Sequence, residues 1–490
     1  MGEQKKTSFE KNNQTISRSP SLTYSQLTLW ILCLAALAVG AKNFEMGLSV
    51  DAPFYATVAR NIARTGELFN LHGSVPEYRP FIYHPPLGLW LLAGVFKVLP
   101  AADWSARLLG ILFYFLFIGV YFLFVRKKTN EKVAVLSVLL LWSWSRFSNF
   151  FSNVYLDPGT LFFGTVAIAL FDLSLEKRKK TLSFVSGISL GLALLYKGMA
   201  VAGFFPILLV SFVASYLSIY REKKSTKILW QLVLIFLLGA LFVVVPFLMA
   251  LFQSSVPDYL SRYWDYQMVS RIRPAWNIKQ LVNGLFWSKL LIDTNYLLPL
   301  CLLIFRKKNS SSLCIPLVAA VSFGGLLLFS NLVGIQYWLY LLPWLAWLIS
   351  DSLVSWLPVS SLKLVRFSSF LAMTALVIIH LVPLNIHGCQ PTEDELEIAK
   401  LSKQRKIDRM ILDSTPYRVD VTATSRFAWY GDLEVFYPTE NPLDAPAAET
   451  SMAYVHINND ENRKQQLLAK GWCVERTFGV RTIWLKCPVH

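Results

Sequence analysis

PPLGLWLLAGVFKVLP, residues 85–100, is apolar almost throughout, and whether it crosses a membrane decides how every later segment is oriented. As a helix it would span only about 24 Å at 1.5 Å per residue, short of a ~30 Å hydrocarbon core, and prolines bound it at both ends. A full crossing here would also invert everything downstream and place RKKTNEK, 126–132, outside. We therefore read 85–100 as a membrane-dipping or interfacial helix on the outer side.

The long apolar runs around it are spans: 24–43, 104–125, 132–149, 157–174, 182–196, 199–219, 228–252, 285–305, 311–330, 336–356 and 366–384, about eleven in all. With Lys5, Lys6, Lys11 and Arg18 holding the N-terminus in the cytoplasm, strict alternation also puts Arg126 to Lys132, Lys177 to Lys180, Arg221 to Lys227, Arg306 to Lys308 and Lys363 to Arg366 inside. The same register leaves Asp51, His84, Asp157, Lys197 and Arg271 at the opposite face. An ionisable group at the membrane edge there is a functional hypothesis by default.

The chain has 490 residues, is 54% hydrophobic and carries a formal charge of +16. Its excess base lies in short loops, where orientation and anionic headgroups account for it, so nucleic acid is not an expected partner. Residues 1–23 are polar and read as a disordered cytoplasmic tail, and the first span is too long for a cleaved signal peptide and reads as retained. Residues 24–385 form the membrane domain. From 386 to 490 the long apolar runs stop and short alternating segments such as RMILDS and MAYVHI appear, the pattern of a small α+β domain outside the membrane.

Cys33, Cys301 and Cys314 lie in or beside spans and read as small hydrophobes. Cys473 and Cys487 flank two strand-like segments joined at Gly479-Val480-Arg481. A hairpin with that three-residue loop sets them opposite each other at disulfide distance, as an oxidising compartment would favour. Cys389 is a competing partner. No His stands near the pair at ligand spacing, so metal binding is not expected.

The first outer segment, 44–103, opens with SVDAPFYATVARNIARTGE, 49–67. Phe54, Val58, Ile62 and Ala63 recur at helical spacing with Arg60 and Arg64 on another face, which predicts a helix lying along the membrane surface. Asp51 before Pro53 has the composition of a helix N-terminus, so capping and chemistry are both open to it. Lys197 stands between two spans beside Gly198, where a buried-edge charge needs an anionic partner. Arg271 and Arg273 follow an aromatic stretch and suit interfacial anchoring nearly as well as phosphate binding.

Acids, bases and tyrosines kept at one headgroup level are the parts needed to act on a lipid-borne substrate: cations neutralise a phosphate and a carboxylate takes a proton from an acceptor hydroxyl. Asp51 opening an outer loop, ARNIARTGEL at 59–68 and YHPPLGLWLLAGVFKVLPAADWSARLLG at 83–110 carry a resemblance that continues through YLDPGTLFF, 155–163, LALLYKGMA, 192–200, and QYWLYLLPWLAWL, 336–348. The pattern resembles bacterial GT-C glycosyltransferases related to protein O-mannosyltransferases and to the aminoarabinose transferases of lipid A. The resemblance covers 24 to about 384. It implies a polytopic helical membrane enzyme that moves a sugar from a polyprenyl-phosphate donor to an extracytoplasmic acceptor: lipid A or lipopolysaccharide, another envelope glycan, or a protein.

Carried over by residue, the resemblance implies that Asp51 is the catalytic base and Asp157 an assisting acid, with Lys197, Arg271 and Tyr340 on the lipid phosphate and His84 at the substrate. His84 stands where aminoarabinose enzymes usually have Lys, and Ala52 replaces the acid common after the first Asp. A divalent cation there would lack a second hard ligand, so no obligatory metal or other cofactor is implied beyond the lipid-linked donor. The localisation implied is the inner (plasma) membrane. The competing readings are a transporter or lipid flippase, which would place its ionisable groups at the bilayer midplane, often in repeated halves, and a structural anchor for 386–490.

The topology has a direct test. Cysteines introduced singly at positions 74 and 460 should react with an impermeant thiol reagent in intact cells or spheroplasts, whereas a cysteine at 128 should be protected. Protection at 74 with labelling at 128 would overturn the orientation.

Overall fold

The computed structural model describes residues 47–48, 51–74, 80–144, 147, 150–223, 225–253, 259–265, 314–329, 339–356, 391–414, 421–436, 452–457, 461–478 and 481–487. The expected spans at 24–43, 285–305 and 366–384, the tail 1–23, and Cys33, Cys301 and Cys389 lie outside them. The membrane part begins with α1, Ala52–Thr65, α2, Leu87–Val98, and α3, Asp103–Lys128. It continues with α4, Glu131–Ser143, α5, Asp157–Lys177, α6, Lys180–Lys197, and α7, Phe205–Arg221. Then come α8, Lys227–Gln253, the short α9, Tyr259–Trp264, α10, Cys314–Phe329, and α11, Leu342–Trp356. Among the described residues four helical segments are long and apolar enough to cross a membrane: 103–128, 157–177, 200–221 and 227–252. The chain is a multi-pass membrane protein.

Two expected spans differ in detail. The run 132–149 is not one helix: α4, capped by the Asn130 side chain accepting from Val133 N at 3.0 Å, stops after Ser143 because Trp144 turns to an extended backbone. Alone it is about 20 Å long. The run 199–219 opens as a 3₁₀ helix, Gly198–Phe204, before α7. Residues 85–100 do form a short helix, α2.

α6 packs closely between α5 and α8. Ser186 Oγ donates to Ala167 O and Ser183 Oγ to Leu232 O, each at 2.6 Å, tying α6 to a helix on either side. A Cβ at Gly187 would overlap the Phe236 carbonyl, and one at Gly239 would overlap that of Phe184. Small residues let backbones touch where lipid supplies no hydrophobic drive between helices.

α1 forms as the residue pattern predicts, and it is covered by protein on both faces. Ten of its residues, Ala52, Pro53 and Tyr55 through Ile62, are buried. Its apolar face packs on α2, and its arginine face lies under the C-terminal unit.

That unit holds α12, Glu393–Gln404, β1, Arg409–Ser414, α13, Val421–Gly431, β2, Glu434–Phe436, β3, Met452–Ile457, α14, Glu461–Ala469, β4, Trp472–Phe478, and β5, Arg481–Lys486. The sheet order is β2-β1-β3-β5-β4, with β1 parallel to β2 and β3 and the β5 pairings antiparallel. Alternating residues fill opposite faces. Met410, Leu412 and Val455 pack with Ile398 and Phe427, whereas Ile411, Tyr454 and Trp484 pack with Leu467 and Trp472. This is the small α+β fold that the residue pattern predicts.

In the β4–β5 hairpin Phe478 pairs with Arg481, which the reading above places in the loop. Arg481 belongs to the strand, where its guanidinium donates to Asp394 at 2.7 Å and Glu395 at 3.0 Å. Cys473 and Cys487 are joined, with Cα atoms 5.1 Å apart. The bond closes a loop of sequence separation 14, which the chain-entropy model values at ~3 kcal/mol. Reduction should therefore lower the thermal midpoint of this unit. Modification of both thiols by alkylation without reduction, read by peptide mapping, would refute the bond.

Candidate active site

Asp157 begins α5 and Lys197 ends α6, and their side chains form an ion pair at the end of the bundle where α1 starts. Both are buried, at 1% and 5% exposure. A cation this far from water stays charged only beside a counter-ion. Tyr196 makes the meeting possible. Its fully buried ring lies on Gly159 and Gly88, where any Cβ would overlap it, so the glycines of YLDPGT and PPLG both make room for one phenol. The chain then leaves α6 through Gly198 at φ 68°, a left-handed conformation that suits glycine. A Cβ there would also strike the Tyr263 hydroxyl. Asp157 Oδ1 has no hydrogen-bond partner among the described residues.

His84 reaches the same region from the other side. It is buried, its ring lying 5.9 Å from Tyr55 and 6.2 Å from Phe81, and its carbonyl accepts from Tyr259 Oη at 3.2 Å. The next residue, Pro85, lies against Gly198. Tyr55 is the first-turn residue of α1, its N–H donating to Asp51 O at 3.1 Å. A chain of contacts therefore runs Asp51, Tyr55, His84, Pro85, Gly198, Lys197, Asp157, with Tyr55, Gly88, Leu156 and Tyr196 lining a recess beside it.

The Asp51 backbone sits at the N-cap of α1, and its side chain makes no capping hydrogen bond there.

Arg271 and Arg273 lie outside the described residues. Tyr340 is buried in a deeper layer, its ring 5.6 Å from Phe323 and 6.3 Å from Phe204. Phe204 covers Gly164, seven residues and about 10 Å along α5 from Asp157. The structure thus pairs Asp157 with Lys197 and sets His84 beside Tyr55, one helical turn from Asp51, while Tyr340 packs on Phe204 and Phe323. Sequence reasoning missed Tyr196 and its two glycines; the available signal was a glycine inside each of two apolar motifs. Among the described residues no three His, Cys, Asp or Glu gather closely enough to hold a metal ion.

Residues 83–249 match the family model described as dolichyl-phosphate-mannose-protein mannosyltransferase. A sequence search of curated proteins finds no match. Among solved structures the fold is similar to ArnT from Cupriavidus metallidurans, with a TM-score of 0.67 in its apo state and 0.64 bound to undecaprenyl phosphate, at 14% and 13% identity. In both, 94% of this chain aligns with 98% of that one. It is also similar to the archaeal oligosaccharyltransferase AglB from Archaeoglobus fulgidus, solved with an inhibitory peptide and a dolichol-phosphate, at TM-score 0.51 and 13% identity over 87% of this chain and 65% of that one. The fold is shared with these two membrane proteins.

The ion pair sets a stability expectation. Lys197→Met strands a buried carboxylate and should cost ~3–5 kcal/mol, whereas Lys197→Met with Asp157→Leu removes both charges and should recover much of that. Thermal unfolding in detergent checks this. A double variant no more stable than the single would show that the pair is not coupled.

Proposed function

We propose that this chain, a membrane protein of GT-C fold with a mannosyltransferase-family segment, is a glycosyltransferase that moves a hexosyl or pentosyl group from a polyprenyl-phosphate donor to an extracytoplasmic acceptor. The buried Asp157–Lys197 pair, with His84 approaching through Tyr55 and through Pro85 against Gly198, carries the reading; Asp51, one helical turn before Tyr55, is the base it adds. The family model names a dolichyl-phosphate-linked sugar. Similar folds have been solved with undecaprenyl phosphate and with a dolichol-phosphate. A prenyl phosphate presents its charge at headgroup depth and its tail to lipid, the boundary at which Lys197 stands.

In this reading the Asp51 carboxylate accepts the proton of the acceptor hydroxyl as its oxygen forms a bond to the anomeric carbon. The bond between that carbon and the phosphate oxygen breaks, and the phosphate leaves with the electron pair toward Lys197. Asp157 holds the ammonium in place, so the cation is ordered before the donor arrives. Arg271 is a second phosphate partner and His84 contacts the sugar. The deeper Tyr340 supports the donor path. The acceptor is lipid A or lipopolysaccharide, another envelope glycan, or a protein. Residues 24–385 form the catalytic part, 386–490 the extracytoplasmic domain, and the membrane is the inner one.

Asp51→Asn keeps the shape of the side chain and removes its basicity, so transfer by the purified protein from a polyprenyl-phosphate sugar should fall by ~10²-fold or more. Near-normal turnover would refute the base. Mass spectrometry of envelope lipids and glycans with and without the chain would identify the sugar and acceptor. An unchanged envelope would count against the reading.

A further inference from the structure

The C-terminal unit shows no motif of its own, yet one of its helices grips all three elements that carry the first outer-loop motifs. The hydroxyl of Tyr430, on α13, accepts from Leu48 N at 2.6 Å and donates to Asp103 Oδ2 at 2.9 Å. Leu48 lies three residues before Asp51, and Asp103 opens α3, so one phenol bridges the approach to Asp51 and the head of the first described span. Trp429 Nε1 donates to the other Asp103 oxygen at 2.7 Å, and its ring stacks on Phe96 of α2 at 5.8 Å. Further along α1, Arg60 donates to the carbonyls of Trp429 and Ala428 at 3.0 and 2.8 Å. Asp432 pairs with Arg60 at 3.0 Å and Arg64 at 2.8 Å.

We propose that Tyr430 is a positioning residue for Asp51, and that the C-terminal unit acts in transfer by fixing the approach to that carboxylate through Tyr430 and Trp429. The proposal rests on Asp51 as the base. Of all these contacts only the Tyr430 hydroxyl reaches the chain N-terminal to Asp51. Arg60 and Asp432 hold the helix beyond it. Burial and the Asp103 charge push the Tyr430 phenol well above its ordinary value, so it stays protonated and keeps both bonds across the working pH range. A shift of about 1 Å in a reacting group can cost up to ~10²-fold in rate, so a single hydrogen bond near Asp51 can register in turnover.

The test uses the full chain in nanodiscs. Tyr430→Phe keeps the ring and its packing and removes both hydrogen bonds. It should lower kcat by about 10-fold, with donor KM and the thermal midpoint little changed and faster hydrogen exchange confined to residues around Leu48 and Asp51. If Tyr430→Phe turns over normally while Asp51→Asn does not, the clamp is refuted and the base stands. If kcat falls only together with the thermal midpoint and donor KM, Tyr430 is merely structural and the proposal fails. Normal turnover of Asp51→Asn would remove the base and the clamp's purpose with it.

Discussion

A buried charge must bring its own counter-charge, and the Asp157–Lys197 pair is the constraint around which the rest of this end of the bundle is built. Neither side chain has water to solvate it, so each makes the other tolerable. Meeting that demand requires two helix ends to arrive within hydrogen-bond reach. Tyr196 seated between Gly88 and Gly159, and Gly198 turning the chain at positive φ, are how they do. The PPLG segment is then fixed by the same phenol that fixes the pair, so His84 comes to the site as a consequence of packing.

A second buried charge organises the other side. Arg60 is taken out of water under α13, and burial lowers its guanidinium to about 10, leaving it cationic at neutral pH. Burial opposes ionisation of Asp432 as well, but the hydrogen bond from Arg64 and the two arginine charges outweigh it and hold the carboxyl below its usual value. Two backbone carbonyls and one carboxylate therefore partner the terminal nitrogens of an arginine that would otherwise have to face lipid or water. This is why α1 is an internal element: its polar face has a protein partner.

The cost of burying charge also marks residues in the sequence itself. Asp157 and Lys197 stood out because ionisable side chains at the edges of apolar runs are costly, and Cys473 and Cys487 because alternating segments imply a hairpin. Tyr196 did not stand out, since a tyrosine near a helix end is ordinary until the glycines it touches are known. Arg60 and Arg64 had the spacing of an amphipathic helix, which is the same whether the polar face meets headgroups or a folded domain.

What the sequence by itself determined is therefore the part set by solvent. Run lengths and Lys/Arg placement define the helical membrane character of the chain, the short proline-bounded helix within 85–100, and the change to an α+β pattern after the last long apolar run. Only the tertiary structure decided that Asp51 makes no capping bond, that Lys197 is already paired, that Tyr340 lies a layer deeper, that Arg481 belongs to the strand, and that Tyr430 reaches back across more than 300 positions to Leu48, near Asp51. The physical reason is that these depend on which side chains share a buried space, and periodicity along one chain carries no information about the neighbour across it.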